Sequence, residues 1–493
     1  MAEWQLDTLL APWCELDVTA RVRDITLDSR QCRAGTLFVA IAGHQLDGRN
    51  FIDNAIAEGA TAVLAEADSP TVQWRGKVPV VALPELKRRL SAIAWRFVGE
   101  PAIRPVGITG TNGKTTTSQL LVQLCDALSC PAAVIGTLGS GRFGRLTPAR
   151  NTTPDAISVA RTLAELADDG CQVAAMEVSS HALSQGRVSA IPFSVAVFTN
   201  LSRDHLDYHG TLGAYAAAKA QLFDWPSLSA AVINADDELG EAWLRERKGR
   251  QPTLAYSLHP LDPTVADQVL YLTDIRAHAS GVRAKVGGSF GSAELSSPLL
   301  GTFNLANLLA AIGAGLALGL ELNALCAAAS LVKPVTGRMQ TFSTEGTATV
   351  VVDYAHTPDA LRAALEALRT HTRGKLWCVF GCGGDRDPGK RPLMTEAVAK
   401  GADIGIVTAD NPRSEPVMSI IQQMLSDRQY GDAMQVVADR REAIAYAIAN
   451  AAPGDVVLVA GKGHEDYQEI NGQRLPFSDI EEVQRQLNGE VSC

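Results

Sequence analysis

The chain has 493 residues, 46% hydrophobic and 20% charged, with a formal net charge of −10. That length suggests about three domains and the composition an ordinary soluble globular protein, while the acidic balance argues against a nucleic-acid coat or a binder of anionic membranes. Nine cysteines, scattered without a C-x-x-C pair, exclude a zinc ribbon and a disulfide framework and point to reduced thiols in the cytoplasm.

Residues 1–100 mix short β-type runs with helical ones. The start, Met1-Ala2-Glu3-Trp4-Gln5-Leu6-Asp7, has neither a basic n-region nor a long apolar run and does not read as a signal peptide. Residues 36–41 and 62–64 read as strands, and 51–57 as a helix closed near Gly59. Two polar patches, Leu27-Asp28-Ser29-Arg30 and Gly43-His44-Gln45-Leu46-Asp47-Gly48, taken alone read as turns.

Pro101 and Pro105 mark a hinge before Gly107-Ile108-Thr109-Gly110-Thr111-Asn112-Gly113-Lys114-Thr115-Thr116. A short apolar run precedes this stretch and a helix start follows it. Strand, glycine-rich turn and helix N-terminus together make a phosphate cradle: glycines turn backbone N–H groups toward an anion, and the helix dipole adds positive charge. Lys114 would reach the β- and γ-phosphates of ATP and the Thr115 hydroxyl would ligate Mg²⁺. The common G-x-x-x-x-G-K-[ST] spacing wants glycine at 108, where this chain has isoleucine. The bland alternative is a structural turn.

From 101 to 337 the pattern repeats as strand, loop, helix. Apolar strands at 173–176, 194–198 and 230–233 end at Glu177, at Thr199-Asn200 and at Asn234. Such runs between helices indicate a parallel sheet buried on both faces, where ligands collect at the carboxyl ends of the strands. The longest apolar run, 308–320, is too short to span a bilayer and reads as a buried helix, so no membrane insertion is expected. From 338 onward the grammar restarts. Strands at 347–352, 376–380, 404–407 and 456–459 each deliver a polar loop, as in a doubly wound α/β domain.

Three constellations carry chemistry. Thr115, Glu177 and His205 all lie beyond strands of one sheet and could meet at a γ-phosphate, with Glu177 offering Mg²⁺ a hard oxygen. On residues alone, Glu177 also suits a satisfied strand-end carboxylate, and His205, since imidazole is an unusual Mg²⁺ ligand, a structural role. Lys219, in an alanine-rich helical segment, reads by spacing as an exposed lysine. Asp410-Asn411-Pro412-Arg413, with Arg386 and Glu465 on neighbouring loops, offers guanidinium forks for a carboxylate and a glutamate for an ammonium, which together suit an amino acid. A surface salt-bridge network is the alternative.

These segments, in this order, closely resemble the Mur ligases, the ATP-dependent amide ligases of peptidoglycan precursor synthesis. The resemblance runs nearly end to end, through Gly110-Thr111-Asn112-Gly113-Lys114-Thr115-Thr116, Asn151-Thr152-Thr153-Pro154, Glu177-Val178-Ser179-Ser180-His181, Asp204-His205-Leu206-Asp207-Tyr208-His209, Asp353-Tyr354-Ala355-His356-Thr357-Pro358 and Gly461-Lys462-Gly463-His464-Glu465. It implies three α/β domains: an N-terminal UDP-muramoyl substrate domain at 1–100, a central P-loop ATPase domain with a parallel sheet at 101–337, and a C-terminal Rossmann-like amino-acid domain at 338–493. The Asp410-to-Arg413 loop makes the chain similar to family members that add meso-diaminopimelate to UDP-N-acetylmuramoyl-L-alanyl-D-glutamate.

Residue by residue, the resemblance makes Lys219 a carbamate formed from CO2, able to hold a second Mg²⁺, and associates Glu177 and His205 with the metals. Lys114, Glu177, His205 and Lys219 would be catalytic. Gly110 to Thr116 would bind ATP, with Asn304 and Asp353. Leu27, Ser29, His44, Gln45 and Leu46 match the pocket for the UDP end, and Asn151, Thr152, Thr153, Ser179, Gln185 and Arg187 match contacts to the rest of the acceptor. Arg386, Asp410, Asn411, Pro412, Arg413, Gly461 and Glu465 would take the diaminopimelate. Small molecules are the expected partners, on a cytoplasmic monomer that binds no nucleic acid. The rivals are a lysine-adding sibling, a folylpolyglutamate synthase-like ligase, and a P-loop nucleotide switch. The switch would need a guanine-reading Asn-Lys-x-Asp, and no Asn-Lys pair occurs in the chain.

Overall fold

Strands that are apolar at every position demand cover on both faces, and the chain meets that demand with helices on either side of parallel sheets. The structure, a computed structural model, describes residues 3–43, 46–149, 151–278, 281–344, 346–426 and 430–488, and of Asp207 and Asp432 the backbone alone. These residues form two compact units. The first runs to Tyr256 and adds Asp262–Val269 and Ala310–Glu321; the second takes Ser257–Leu261, Leu270–Leu309 and the chain from Leu322.

The first unit opens with a five-stranded sheet of β1 (Asp24–Thr26), β2 (Thr36–Ala40), β3 (Ala62–Glu66), β4 (Thr71–Arg75) and β5 (Val78–Leu83), in the order β1-β2-β3-β5-β4. All pairs are parallel except β4 with β5. Helix α1 (Ile52–Ala57) follows a 3₁₀ turn at Gly48–Phe51, so the helix expected from 51 starts one residue later. Helix α2 (Leu86–Phe97) buries Leu86, Leu90, Ile93, Ala94 and Phe97, the i, i+4, i+7 stripe of an amphipathic helix.

The second sheet of this unit contains β6 (Arg104–Thr109), β7 (Ala132–Gly136), β8 (Val173–Glu177), β9 (Val195–Phe198), β10 (Ala230–Asn234) and β11 (Thr253–Ser257), parallel in the order β7-β8-β6-β9-β10-β11. Helices α3 (Lys114–Ala127), α4 (Ala156–Asp168) and α5 (Leu212–Ala220) lie between strands in the chain. β6 is flanked by β8 and β9, with the chain leaving toward opposite sides. That is a topological switch point, and it brings the ends of three strands around the glycine-rich loop. The two sheets are tied through Arg161 of α4, whose Nη2 lies 2.7 Å from Asp24 of β1 and 2.9 Å from the Ile25 carbonyl.

From Leu270 the second unit contains most of an antiparallel meander of strands Gln268–His278, Gly281–Gly288 and Ala293–Ser297. The sequence reading expected strand–loop–helix repeats here. The difference lies in Val282 to Val286, where buried and exposed residues alternate with the period of a half-solvated strand. Residues 308–317 of the apolar run lie in the helix Thr302–Ala317, and among the described residues no helix is long and apolar enough to cross a membrane.

The main sheet of this unit has β12 (Gln340–Phe342), β13 (Thr349–Asp353), β14 (Leu376–Phe380), β15 (Ile404–Val407), β16 (Met434–Val436) and β17 (Val456–Ala460), in the order β12-β13-β17-β14-β15-β16 and parallel apart from β12. Alternate residues feed two cores. Val351, Cys378, Phe380 and Leu458 share one core with Leu361, Leu365, Met394, Val398 and Ile420 of the helices on that side. Val350, Val352, Trp377, Val379 and Val457 share the other with Ala443, Ile444 and Val483.

Candidate active site

The loop after β6 is shaped by two glycines. Gly113 has φ +88 at the entry to α3, and at Gly110 a Cβ would lie 1.9 Å from Thr199 Oγ1. Side chains are excluded there because the β9 loop presses against the turn. Thr111 N donates to the Asn200 carbonyl (2.9 Å), Asn112 N to Asn200 Oδ1 (2.9 Å), and Thr199 Oγ1 to the Asn112 carbonyl (2.6 Å). Lys114 folds back, its Nζ 2.8 Å from the Gly110 carbonyl and 2.9 Å from that of Thr111. Thr115 and Thr116 are buried in the first turn of α3.

Glu177, at the end of β8, is 1% exposed and fully engaged. It accepts from Thr115 Oγ1 (2.9 Å), Thr137 N (2.8 Å) and Thr137 Oγ1 (3.0 Å). Of the three residues expected to converge, Thr115 and Glu177 are bonded directly. Thr137, one residue past β7, is a third member that the sequence reading missed. The expected acceptor residues are knitted to the same strand end. Thr153 Oγ1 donates to the Glu177 carbonyl (2.8 Å) and accepts from Ser179 N (3.0 Å), and Thr137 Oγ1 lies 3.1 Å from Thr152 Oγ1. Arg187 Nη1 donates to the Thr153 carbonyl (2.8 Å) and Nε to Gln185 Oε1 (2.9 Å). Asn151 is exposed beside them.

Lys219, on α5, is buried to 1% exposure, not the exposed lysine that spacing alone suggests. Its Nζ donates to the Gly110 carbonyl at 2.8 Å and lies 4.3 Å from the centre of the Tyr215 ring. Burial, and then the charge of Lys114, push its ammonium well below the usual lysine range, with Asp204 opposing. His205 has φ +52, and its Nε2 is 3.4 Å from Asp204. Its ring is 4.9 Å from that of His181, which also meets Tyr208 (4.1 Å) and His209 (5.5 Å).

The oxygens of Thr115, Thr137 and Glu177 form a hard donor set. Among the described residues no three His, Cys, Asp or Glu side chains gather as a metal cage. One carboxylate and a hydroxyl suit Mg²⁺, which keeps waters and binds through substrate phosphates. A buried Lys219 whose charged form is disfavoured likewise fits carbamate formation, since the anion formed would sit beside Lys114.

Leu27 and Ser29 follow β1, where Ser29 is buried and its hydroxyl accepts from Asn54 Nδ2 at 3.0 Å. His44 and Gln45 lie outside the described residues, and Leu46 is 70% exposed. A larger open hollow of about 470 Å³ at Ile191 and Trp225 is lined by none of the expected residues.

In the second unit, the loops after β13, β14, β15 and β17 enclose a cavity of about 140 Å³. It is lined by Tyr354, His356, Gly381, Cys382, Gly383, Arg386, Lys390, Asp410, Asn411, Arg413, Gly461 and Glu465. Six of the seven residues expected for an amino acid thus share one wall system. The seventh, Pro412, is on the same loop, its carbonyl so near Gly384 that a Cβ there would be 1.9 Å away. Arg413, at φ +53, donates from Nη1 to the Gly384 carbonyl (2.7 Å).

Beneath the cavity Lys462, fully buried, donates to Asn411 Oδ1 (3.1 Å) and Glu465 Oε2 (3.0 Å), and Asn411 Nδ2 donates to Glu465 Oε2 (2.8 Å). Burial would raise the Glu465 carboxyl, but Lys462 and Asn411 hold it below its ordinary value. Asp410 goes the other way, lifted by burial against the pull of Arg440 and Lys462. Lower still, Arg440 and Asp479 form a fully buried bidentate pair (2.7 Å). The guanidinium also donates to the carbonyls of Ala409 (3.2 Å) and Ala460 (2.9 Å), the residues that precede Asp410 and Gly461.

Asn304 and Asp353 also belong to this unit. Asn304 is buried, its Nδ2 on the Leu300 carbonyl (2.9 Å). Asp353 accepts from Met339 N (2.8 Å) and Ala355 N (2.9 Å), and burial raises its carboxyl despite Arg338.

Three family models match the chain: "Mur ligase family, catalytic domain" at 21–97, "Mur ligase middle domain" at 108–315, and "Mur ligase, glutamate ligase domain" at 337–463. A Vibrio vulnificus protein named UDP-N-acetylmuramoyl-L-alanyl-D-glutamate–2,6-diaminopimelate ligase is 46% identical over 490 residues, covering 98% of each chain. A Pseudomonas aeruginosa protein of the same name is 49% identical over 480 residues, 97% of each. A solved structure of an enzyme with that name matches with a TM-score of 0.73 at 39% identity, over 99% of both chains.

Proposed function

The chain belongs to the Mur ligase family, and on that premise we infer that it is the ATP-dependent amide ligase that joins meso-diaminopimelate to the D-glutamyl side-chain carboxylate of UDP-N-acetylmuramoyl-L-alanyl-D-glutamate. The reaction is a step of peptidoglycan precursor synthesis. The observation that carries the reading is the small cavity where Arg386 and Arg413 share the walls with Asp410 and Glu465. A molecule bearing both carboxylates and ammoniums is what such a mixed lining recognises.

At neutral pH a carboxylate and an amine only form a salt, so the acid must first be activated. An oxygen of the D-glutamyl carboxylate attacks the γ-phosphorus of ATP, and the P–O bond to ADP breaks, giving an acyl phosphate. The diaminopimelate amine then adds to the acyl carbon, the tetrahedral intermediate expels phosphate, and the nitrogen loses its proton to leave an amide. Lys114 neutralises charge on the transferring phosphoryl group, and the turn at Gly110 to Gly113 cradles it. Thr115, Glu177 and His205 would hold Mg²⁺, and Lys219 as a carbamate a second ion. These ions would polarise phosphoryl oxygens and offset their charge.

Thr152, Thr153, Ser179, Gln185 and Arg187, with Asn151, are assigned to the dipeptide part of the acceptor, a role supported by their bonds around the Glu177 strand end. Leu27, Ser29, His44, Gln45 and Leu46 are assigned to the UDP end, and Asn304 and Asp353 to the nucleotide. We assign the working domains to 1–100, 101–337 and 338–493, in a cytoplasmic monomer. The test is ADP release with the muramoyl dipeptide nucleotide, offering diaminopimelate and lysine separately. Product carrying diaminopimelate alone is expected; ADP release without a peptide-bonded product overturns the reading.

A further inference from the structure

We propose that Arg391 and Glu415, neither of which lines the cavity, are a positioning pair that fixes the spacing of Arg386 and Arg413 and thereby sets the preference for an amino acid with a second carboxylate. The inference rests on the ligase reading above. Arg386 and Arg413 sit on different loops, after the adjacent strands β14 and β15. Each loop carries a residue in the left-handed region, Asp385 at φ +52 and Arg413 at φ +53. Such backbone costs free energy unless its surroundings hold it in place.

At Asp385 the pair supplies that hold; at Arg413 the backbone N–H donates to the Glu469 carbonyl (2.9 Å) and the carbonyl accepts from Asn471 N (2.7 Å). Arg391 is 1% exposed on its side chain and grips both carboxylate oxygens of Glu415, Nη2 to Oε1 at 2.7 Å and Nη1 to Oε2 at 2.9 Å. Its Nη1 also donates to Gln423 Oε1 (2.6 Å), and Nη2 reaches the Gly383 carbonyl at 3.3 Å. Glu415 Oε1 then accepts from Asp385 N at 2.6 Å, one residue before Arg386. Ser414 Oγ donates to Asp385 Oδ1 (2.6 Å), and Gly384 N to the Asn411 carbonyl (2.9 Å). So the carboxylate that follows Arg413 by two residues is bonded to the backbone that precedes Arg386 by one. A bidentate fork transmits geometry in a way that a point charge cannot.

The experiment compares Glu415→Gln, Arg391→Lys and the apolar double variant R391M/E415L by thermal melting and by KM for each substrate. Gln keeps the shape but loses the charge-assisted fork; Lys keeps the charge but cannot bond both oxygens and the Gly383 carbonyl. Each single variant is expected to raise KM for diaminopimelate about tenfold, to leave KM for ATP within about twofold, and to narrow the diaminopimelate-to-lysine ratio of kcat/KM. The double variant, free of an unpaired buried charge, recovers the melting temperature but not the diaminopimelate KM. Wild-type KM for diaminopimelate in both single variants, or a KM for ATP rising in the same proportion, overturns the proposal. If the unmutated enzyme makes no product from diaminopimelate, the ligase reading falls and this inference with it. Product from the unmutated enzyme alongside unaltered variants removes this inference alone.

Discussion

Lys114 and Lys219 donate to one acceptor: each ammonium nitrogen lies 2.8 Å from the carbonyl oxygen of Gly110. With Lys219 buried beside a like charge, the neutral amine is favoured, and that is the form which adds CO2. Carbamylation would place an anion beside the Lys114 ammonium, an attraction. Activity should fall about tenfold or more in bicarbonate-depleted buffer and return when bicarbonate is added. Under ¹³C-labelled CO2 a carbamate carbon resonance should appear, and should be missing in Lys219→Ala. Full turnover in that variant, or no such resonance in the unmutated protein, would remove the carbamate from the mechanism.

Removing the Lys114 charge tests the phosphate cradle. Lys114→Ala should lower kcat/KM by roughly 10²–10³, the cost of losing one stabilising donor at a developing charge. Lys114 Nζ donates to the loop carbonyls of Gly110 and Thr111, and the melting temperature should move less than the turnover. Near-normal turnover would rule out a part for this lysine in phosphoryl transfer.

Gly110→Ala attacks the same loop sterically. The new Cβ would lie 1.9 Å from Thr199 Oγ1, a hydroxyl held by the carbonyl of Asn112. The loop must shift, so ATP affinity measured by calorimetry should fall while the acceptor nucleotide still binds. An unchanged ATP affinity would mean the turn is not the cradle.

Arg413→Ala should raise KM for diaminopimelate strongly with little effect on that for ATP. In the unmutated enzyme lysine would leave the guanidinium, whose Nε lies 3.4 Å from Glu469 Oε2, without the substrate's second carboxylate, and sites built around such partners reject the incomplete ligand by roughly 10⁴-fold. Equal use of both amino acids by the unmutated enzyme would end the specificity argument.

Acid should destabilise the fold in two windows. Burial, and then the charge of Arg338, lower the pKa of His464 to about 4. The unfolded chain therefore binds a proton that the native one refuses, and stability falls as pH drops from about 6.5 toward 4. Glu415, held to about 2 chiefly by its hydrogen bonds from Arg391, contributes stability that is present above about 4.5 and lost as pH falls toward 2. Melting temperatures followed against pH should lose the first slope in His464→Gln and the second in Glu415→Gln. Parallel curves for variant and parent would contradict the assignment.

What the sequence made legible was chemistry that must be solved locally. The turn at Gly110 to Gly113 needs its own glycines, and the strands 376–380 and 404–407 are apolar over their whole length and occur as read. The strand read from 347 starts at Thr349 because Thr347 turns back to bond the Thr344 carbonyl. Residues whose meaning lies in a distant partner stayed hidden. Thr137 looks like any threonine after a strand until Glu177, forty positions on, is seen to accept from it. Arg391, Arg440 and Asp479 sit among other charges near helix starts, where a solvated face is the ordinary reading. Only the packed structure shows Arg391 at 1% exposure on its side chain and the other two at zero.

The Arg440–Asp479 pair ties residues 39 positions apart in the chain. Asp479 opens the helix Asp479–Leu487, yet through Arg440 it anchors the stems of two loops that line the cavity. A nascent chain can therefore complete the glycine-rich loop long before the stems of these cavity loops are pinned. A chain ending ahead of Asp479 would strand a cation in the protein interior, and quality control would meet it before any substrate did.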